Sequence, residues 1–360
     1  MKTIRLSAVF TVLLIMSFIC SAQNSKPRSL LSGKIISEII GEASGERAMN
    51  HINELAAYNH DRLTSEYKGP FIETEYFLSK LKEYELEGII LNKYPGGTAW
   101  DGISGEIWEV SPGISKIADY GDVTAMLAQG STDSDVTAEL VWVGEGRQDD
   151  IERADVKGKI VVTSGRMASV NSLSVSKGAF GVISYESPHP LSVPLAIPFH
   201  TSNFTISGNS KSTNSATANF GFFLPPREGI ILRDRLLAKE KIIVHAVIKT
   251  QNVNYNLEVI SCLIKGTDPA AGEIILSAHL FDGLVKMGGN DNLSGCAAIL
   301  EIARMFNSMI KEGRIERPKR TIRFIWAPEI SGTGPWVREN MDIIKNSLCN
   351  INLDMVGLWL

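Results

Sequence analysis

The chain has 360 residues, 44% hydrophobic and 21% charged, with a formal net charge of −4. That composition is enough for one large core or two moderate ones and excludes a disordered chain. The mildly acidic balance also excludes a general attraction to nucleic acid or anionic lipid.

The first 22 residues read as a secretory signal: Lys2 and Arg5, an apolar stretch from Leu6 to Ile19, then Cys20-Ser21-Ala22 as a small-residue cleavage site before Gln23. The apolar stretch is shorter than the roughly 20 residues of a bilayer span, so the mature chain is expected to be secreted or periplasmic, without a membrane partner. Cleavage takes away two positive charges and leaves Cys262, Cys296 and Cys349. An odd number at wide spacing, within apolar patterns, predicts buried free thiols rather than a zinc cluster built from close cysteine pairs; one disulfide stays open.

Ser32 to Tyr58 and Glu73 to Tyr84 carry helical spacing, with Phe77, Leu78, Leu81 and Tyr84 on one face. From about Gly105 to Lys249 the character changes to short β-rich runs (AELVWVG, GKIVVTSG, FGVISYE, KIIVHAVI) broken by Gly, Pro and Ser, which predicts a second domain. From about Asn254 the order is strand (LEVISCLIKG), strand (EIILSAH), loop, long helix (Ser294 to Lys311), strand (TIRFIWA), helix (Trp336 to Asn346) and strand (NINLDMV). Such alternation predicts an α/β fold, a mostly parallel mixed sheet with helices on both faces.

Three polar residues end apolar strand runs: His279 in IILSAH, Glu329 in RFIWAPE and Asp354 in INLD. A fourth, Asp291, lies in the loop GGNDNLSG before the long helix. Carboxyl ends of strands form the ligand crevice of an open α/β sheet, so these groups can converge. Zinc takes imidazole nitrogen and carboxylate oxygen, and two ions about 3.5–4 Å apart clamp both the attacking and the leaving oxygens. Taken singly, each residue has an ordinary reading: a strand-end histidine is commonly structural, Asp291 suits a helix N-cap, and Glu329 and Asp354 suit exposed loops. Together they predict a metal site. Gly288-Gly289-Asn290 gives the backbone the freedom for a tight turn into a bridging carboxylate.

Other motifs are weaker. Ser174 to Lys177 has a serine-x-x-lysine spacing without companions, and neither a P-loop nor a G-x-S-x-G elbow is present. His51, His60, His189, His200 and His245 read as structural or exposed, and the basic run Lys311 to Arg320 reads as a solvated loop.

The ordered pieces SAH, GGNDNLSGCAAILEIAR, TIRFIWAPE and NLDMVG resemble the di-zinc exopeptidases of metallopeptidase family 28, over about Leu257 to Gly357. GERAMNHINELAAYNHDRLTSEY is similar to that family's leading region, and DVKGKIVVTSG with SKGAFGVISYES is similar to its inserted protease-associated domain. The implied organisation is a signal peptide at 1–22, the first part of the peptidase domain at 23–110, a protease-associated-like insertion at 111–249 and the metallopeptidase core at 250–360. The resemblance implies that His279 ligates one zinc, that Asp291 bridges two zinc ions and is followed by a cis peptide to Asn292, and that Asp354 ligates the first. It also implies Glu329 as metal ligand or general base and Asp282 as the group that orients the imidazole, making these two the catalytic candidates.

The sequence departs from the pattern in three places. His279-Leu280-Phe281-Asp282 is one residue longer than His-x-Asp, Pro328 stands where a second glutamate is usual, and no histidine follows His279. The expectation is therefore a peptidase core truncated at its C-terminus. The implied function is a secreted zinc-dependent exopeptidase, an aminopeptidase hydrolysing peptide substrates with a metal-activated water. Two alternatives stand beside it: a single-zinc glutaminyl-peptide cyclase of the same fold, and a non-catalytic peptidase-like binding protein.

Overall fold

The computed structural model describes residues 30–56, 66–67, 69–197, 218–281, 288–329 and 331–357. The expected signal peptide and Asp282 lie outside the described residues.

Three helices lead: α1 (Gly33–Glu42), α2 (Gly45–Ala56) and α3 (Ile72–Glu83). The helix predicted from Ser32 to Tyr58 is thus two, because Ala43 turns to extended backbone (φ −64°, ψ 131°). Ser32 caps α1, its Oγ accepting the Ile35 N–H at 3.3 Å. Then come β1 (Glu87–Ser111), β2 (Ser115–Asp119), β3 (Ser134–Trp142), α4 (Gln148–Arg153), β4 (Ile160–Thr163), α5 (Met167–Ser176), β5 (Gly181–Ser184), β6 (Phe220–Phe223) and α6 (Pro226–Leu237). The last part runs β7 (Ile243–Ile264), β8 (Glu273–Phe281), α7 (Leu293–Lys311), β9 (Thr321–Pro328), α8 (Thr333–Glu339), α9 (Met341–Asn346) and β10 (Ser347–Asn352). The predicted helix Trp336 to Asn346 is split at Asn340 between α8 and α9.

β10, β8 and β9 lie parallel in that order, β7 runs antiparallel to β9, and β1 antiparallel to β7. This is the predicted mixed sheet with a parallel centre. β1 and β7 form one ribbon, paired from Glu87↔Leu263 to Ser111↔Ile243. At its far end β3 pairs antiparallel with the start of β7, and β4, β5 and β6 continue in parallel. Pro95, Gly96, Gly97 and Gly102 hide the continuity of β1 in the sequence. The strand accommodates them by register shifts at Pro95/Gly97 and Gly102/Ser104, and among the described residues its first half pairs on one side only, where proline is tolerated.

Alternation along β7, β8 and β9 feeds two cores. Trp326, Phe324, Cys262 and Ile260 pack on one face against Phe77 of α3 and Ile299 of α7. Val259, Ile325 and Ala327 face Trp336 of α8 on the other. Two further clusters fill the faces of the distal unit, one around Ile160, Phe222 and Val244, the other around Val161, Val182 and Met167. Among the described residues α7 is long and apolar enough to cross a membrane, yet 67% of that stretch is buried inside the protein. The thiols differ from expectation at one position: Cys262 and Cys296 are buried, but Cys349 is exposed, because β10 is the outer strand of the sheet.

Arg304 of α7 ties this core to α1. Its guanidinium meets Glu42 at 2.6 Å and Glu301 at 2.7 Å, and Arg314 also pairs with Glu42. Chiefly through the Arg304 hydrogen bond, with Arg314 adding to it against the opposing effect of burial, the Glu42 carboxyl sits below its usual value of 4.5. A depressed carboxylate contributes stability that is present above the unfolded-state value and lost as pH falls through the folded one. Replacing Arg304 with Met is expected to cost about 2 kcal/mol at pH 7, the scale of a charged hydrogen bond. Thermal melts across pH 2.5–7 should show the wild type losing its advantage below about pH 4.5; parallel curves for both proteins would contradict this assignment.

Candidate metal centre

His279 lies near the carboxyl end of β8, opposite Ala327 of β9 in a parallel register. On its other side β10 pairs Asn352 with Ser277, and the Leu353 N–H donates to the Ser277 carbonyl at 2.9 Å. Asp354, two residues past the strand, therefore reaches the same sheet edge as His279. Asp291 arrives from the turn that opens α7.

His279 Nε2 lies 3.1 Å from Asp291 Oδ1 and 3.5 Å from Asp354 Oδ1. One potential ligand atom from each residue falls within 4.8 Å of the others. The edge of a tetrahedron with zinc bonds of about 2.0–2.1 Å is about 3.3 Å, so the spacing suits this ion. The chemistry of the set agrees: an imidazole Nε2 carries at most one proton and satisfies one carboxylate, whereas a dication would neutralise both. His279 is 8% exposed, against 45% and 41% for the two aspartate side chains, so the group is walled on the imidazole side and open on the carboxylate side.

The backbone of His279 is seated on α7, where Cys296 Sγ donates to its carbonyl at 2.9 Å. Trp326 Nε1 in turn donates to the Cys296 carbonyl at 3.2 Å. The helix N-cap is Asn292, whose Oδ1 accepts the Gly295 N–H at 3.0 Å. Sequence alone offered that role to Asp291; the structure moves it one residue on and leaves the Asp291 carboxylate in the cluster. The Asp291–Asn292 peptide is cis, as the resemblance implies. Gly295 is required here, because a Cβ would fall 2.2 Å from the Leu353 carbonyl that presses on the first helical turn.

The structure brings together three of the five sequence-predicted residues. Glu329 follows directly on β9 in an exposed turn, where the Gly332 N–H donates to the Pro328 carbonyl at 3.2 Å. It shares the sheet edge but is not one of the three clustered groups. Asp282, the fifth, lies outside the described residues. Sequence reasoning missed Asn290, Asn292 and Ser294, which bind the loop after β10. Their signal was available in an asparagine and a serine flanking the first helical residue, both favoured near a cap.

Residues 259–358 match the family model of Peptidase family M28. Among solved structures the fold is similar to an aminopeptidase from Aneurinibacillus sp., at TM-score 0.53 and 23% identity, covering 89% of this chain and 72% of that one. It is similar to a zinc aminopeptidase from Bacillus subtilis at TM-score 0.57 and 22% identity, covering 87% and 69%. A peptidase M28 precursor from Shewanella amazonensis gives TM-score 0.58 and 13% identity, covering 89% and 74%. No curated protein matches the chain. At these identities the structural likeness concerns the fold, while the matched segment contains all three clustered residues.

Proposed function

We propose, from the match of residues 259–358 to the model of Peptidase family M28, that this chain is a secreted or periplasmic zinc exopeptidase, an aminopeptidase acting on peptide substrates. The observation that carries the reading is the convergence of His279, Asp291 and Asp354 within 4.8 Å at one sheet edge. The structures named as aminopeptidases support the choice of chain end. We further assign residues 111–249 to a protease-associated type of insertion, supported by its separate cores.

His279, Asp291 and Asp354 would hold the zinc. Asp291 Oδ1 lies 3.1 Å from His279 Nε2, and Asp291 is the residue that would also serve a second ion. Bound zinc supplies Lewis-acid polarisation of the scissile carbonyl and lowers the pKa of an attacking water. Neutral imidazole is the form that ligates zinc, and the backbone that carries the His279 ring is seated on α7 through the Cys296 thiol. Glu329 is assigned to proton transfer, taking the proton of the attacking water and delivering it to the leaving amine; its exposed position one residue past β9 supports this. Asp282 is assigned to hold the His279 ring.

The test is hydrolysis of unblocked aminoacyl anilides and N-blocked peptides by the purified protein, before and after chelation. Activity on unblocked substrates is expected to fall about 10²-fold or more with chelator and to return with zinc, since Lewis-acid stabilisation is worth several kcal/mol at about 1.4 per tenfold. Cleavage of N-blocked peptides from the other end would exclude an aminopeptidase. Cyclisation of N-terminal glutamine without hydrolysis would exclude a peptidase.

A further inference from the structure

Two short segments carry the carboxylates of the cluster, residues 290–294 at the start of α7 and residues 353–357 after β10. They are joined by side-chain hydrogen bonds that none of the three clustered residues makes. Asn292 Nδ2 donates to the Leu353 carbonyl at 3.0 Å, and Asn292 Oδ1 accepts the Met355 N–H at 3.3 Å. Ser294 Oγ accepts the Val356 N–H at 3.0 Å, and Asn290 Oδ1 accepts the Gly357 N–H at 3.0 Å. Ser294 is itself oriented by donating to the Asn290 carbonyl at 2.6 Å.

Asn292 holds the central place in this arrangement. Its amide grips the residue before Asp354 and the residue after it, and its own backbone follows Asp291 directly. One fully buried side chain thus touches both carboxylate-bearing segments. Met355 adds a reason why a grip is needed: its φ of +52° lies in the left-handed region, unusual for a residue with a side chain, and such a turn persists only where neighbours fix it. Asn292 Oδ1 holds the N–H of that residue. Capping α7 requires only the bond to Gly295, so the bonds to Leu353 and Met355 exceed what a cap explains.

We propose that Asn292 is a positioning residue that sets Asp354 against Asp291 and His279, so that the three present a preformed cation site. Ser294 and Asn290 extend the same clamp to the end of the turn. The inference rests on the zinc reading of this cluster, and it assigns Asn292 no contact with substrate.

The decisive substitution is Asn292→Ser, because serine is a favoured cap that preserves the start of α7 yet is too short to hold both Leu353 and Met355. Ser294→Ala removes one bond of the clamp and serves as the second variant should the first fail to fold. Full-length proteins stripped of metal are titrated with zinc against a chromophoric chelator, and with cobalt(II) to record the visible absorption of the bound ion. Folding is followed by circular dichroism. Asn292→Ser is expected to bind zinc about 10–100-fold more weakly than wild type while folded, the range for partners that orient metal ligands. Its cobalt spectrum should shift, a change that loss of a helix cap alone does not produce. Ser294→Ala is expected to bind about fivefold more weakly, as for one ordinary hydrogen bond. Wild-type affinity and an unaltered cobalt spectrum in the folded variants would overturn the positioning role and leave the metal site standing. A wild-type chain that takes up no zinc would instead overturn the metal reading, and the inference with it.

Discussion

Asp291→Ala is expected to eliminate bound zinc and to reduce peptidase activity by about 10³-fold or more, while leaving the metal-free protein as stable as the wild type. The first half follows from geometry: Asp291 Oδ1 lies 3.1 Å from His279 Nε2 and is one of three groups within 4.8 Å of one another. Removing one of three ligands while leaving two leaves too few donors for a site that also keeps an open position. The second half separates this prediction from ordinary damage. The helix cap belongs to Asn292, the Asp291 side chain is 45% exposed, and its loss relieves a carboxylate that shares one imidazole with Asp354. Metal-free samples should therefore melt together. Zinc at about 1,000 times its dissociation constant should stabilise only the wild type, by about 4 kcal/mol. Elemental analysis, thermal melts with and without zinc, and turnover of unblocked anilides measure all three parts. Retained zinc and turnover in the variant would remove Asp291 from the site.

Trp326→Ala is expected to bring the largest loss of stability, about 3–5 kcal/mol, the range for deleting a large buried aromatic. Trp326 has no exposed surface and lies with Phe77 at 5.4 Å and Phe324 at 6.4 Å between ring centroids. Its indole N–H is satisfied by the Cys296 carbonyl, so truncation costs a hydrogen bond as well as packing. Against a typical total of about 5–15 kcal/mol, that loss is a large share of the whole. Urea unfolding should show a lower midpoint with an unchanged slope, and Trp326→Phe should recover part of it. A midpoint within error of the wild type for Trp326→Ala would mean that this cluster does not hold the sheet to α3 and α7.

What could be read from sequence depended on the range of the interaction. His279, Asp291 and Asp354 were legible because each follows a local signal, a strand run ending or a glycine turn before a helix, and the parallel sheet then gathers strand ends by rule. α7 and β9 were legible from uninterrupted apolar spacing. β1 was not, since Pro95 and three glycines read as breaks and only pairing with a distant strand, as of Pro95 with Asn256 and Gly102 with Thr250, overrides them. The clamp was invisible for the same reason: nothing near Asn292 announces Leu353 or Met355, 61 and 63 residues on. Glu329 shows the limit from the other direction, because the sequence placed it at the right edge of the sheet but could not fix where its side chain points.

The β1–β7 ribbon carries a consequence for how this architecture tolerates change. The strands that lead into and out of the distal unit face each other at Ser111 and Ile243, a register pair whose Cα atoms are about 5 Å apart in an antiparallel ladder. The intervening segment thus departs and returns at one spot, like a long tip on a hairpin. Closing such a tip costs free energy that rises only with the logarithm of its length. Nothing in the central sheet needs to shift for that segment to lengthen, shorten or be exchanged, so the edge that bears His279 and Asp354 is insulated from whatever the tip becomes.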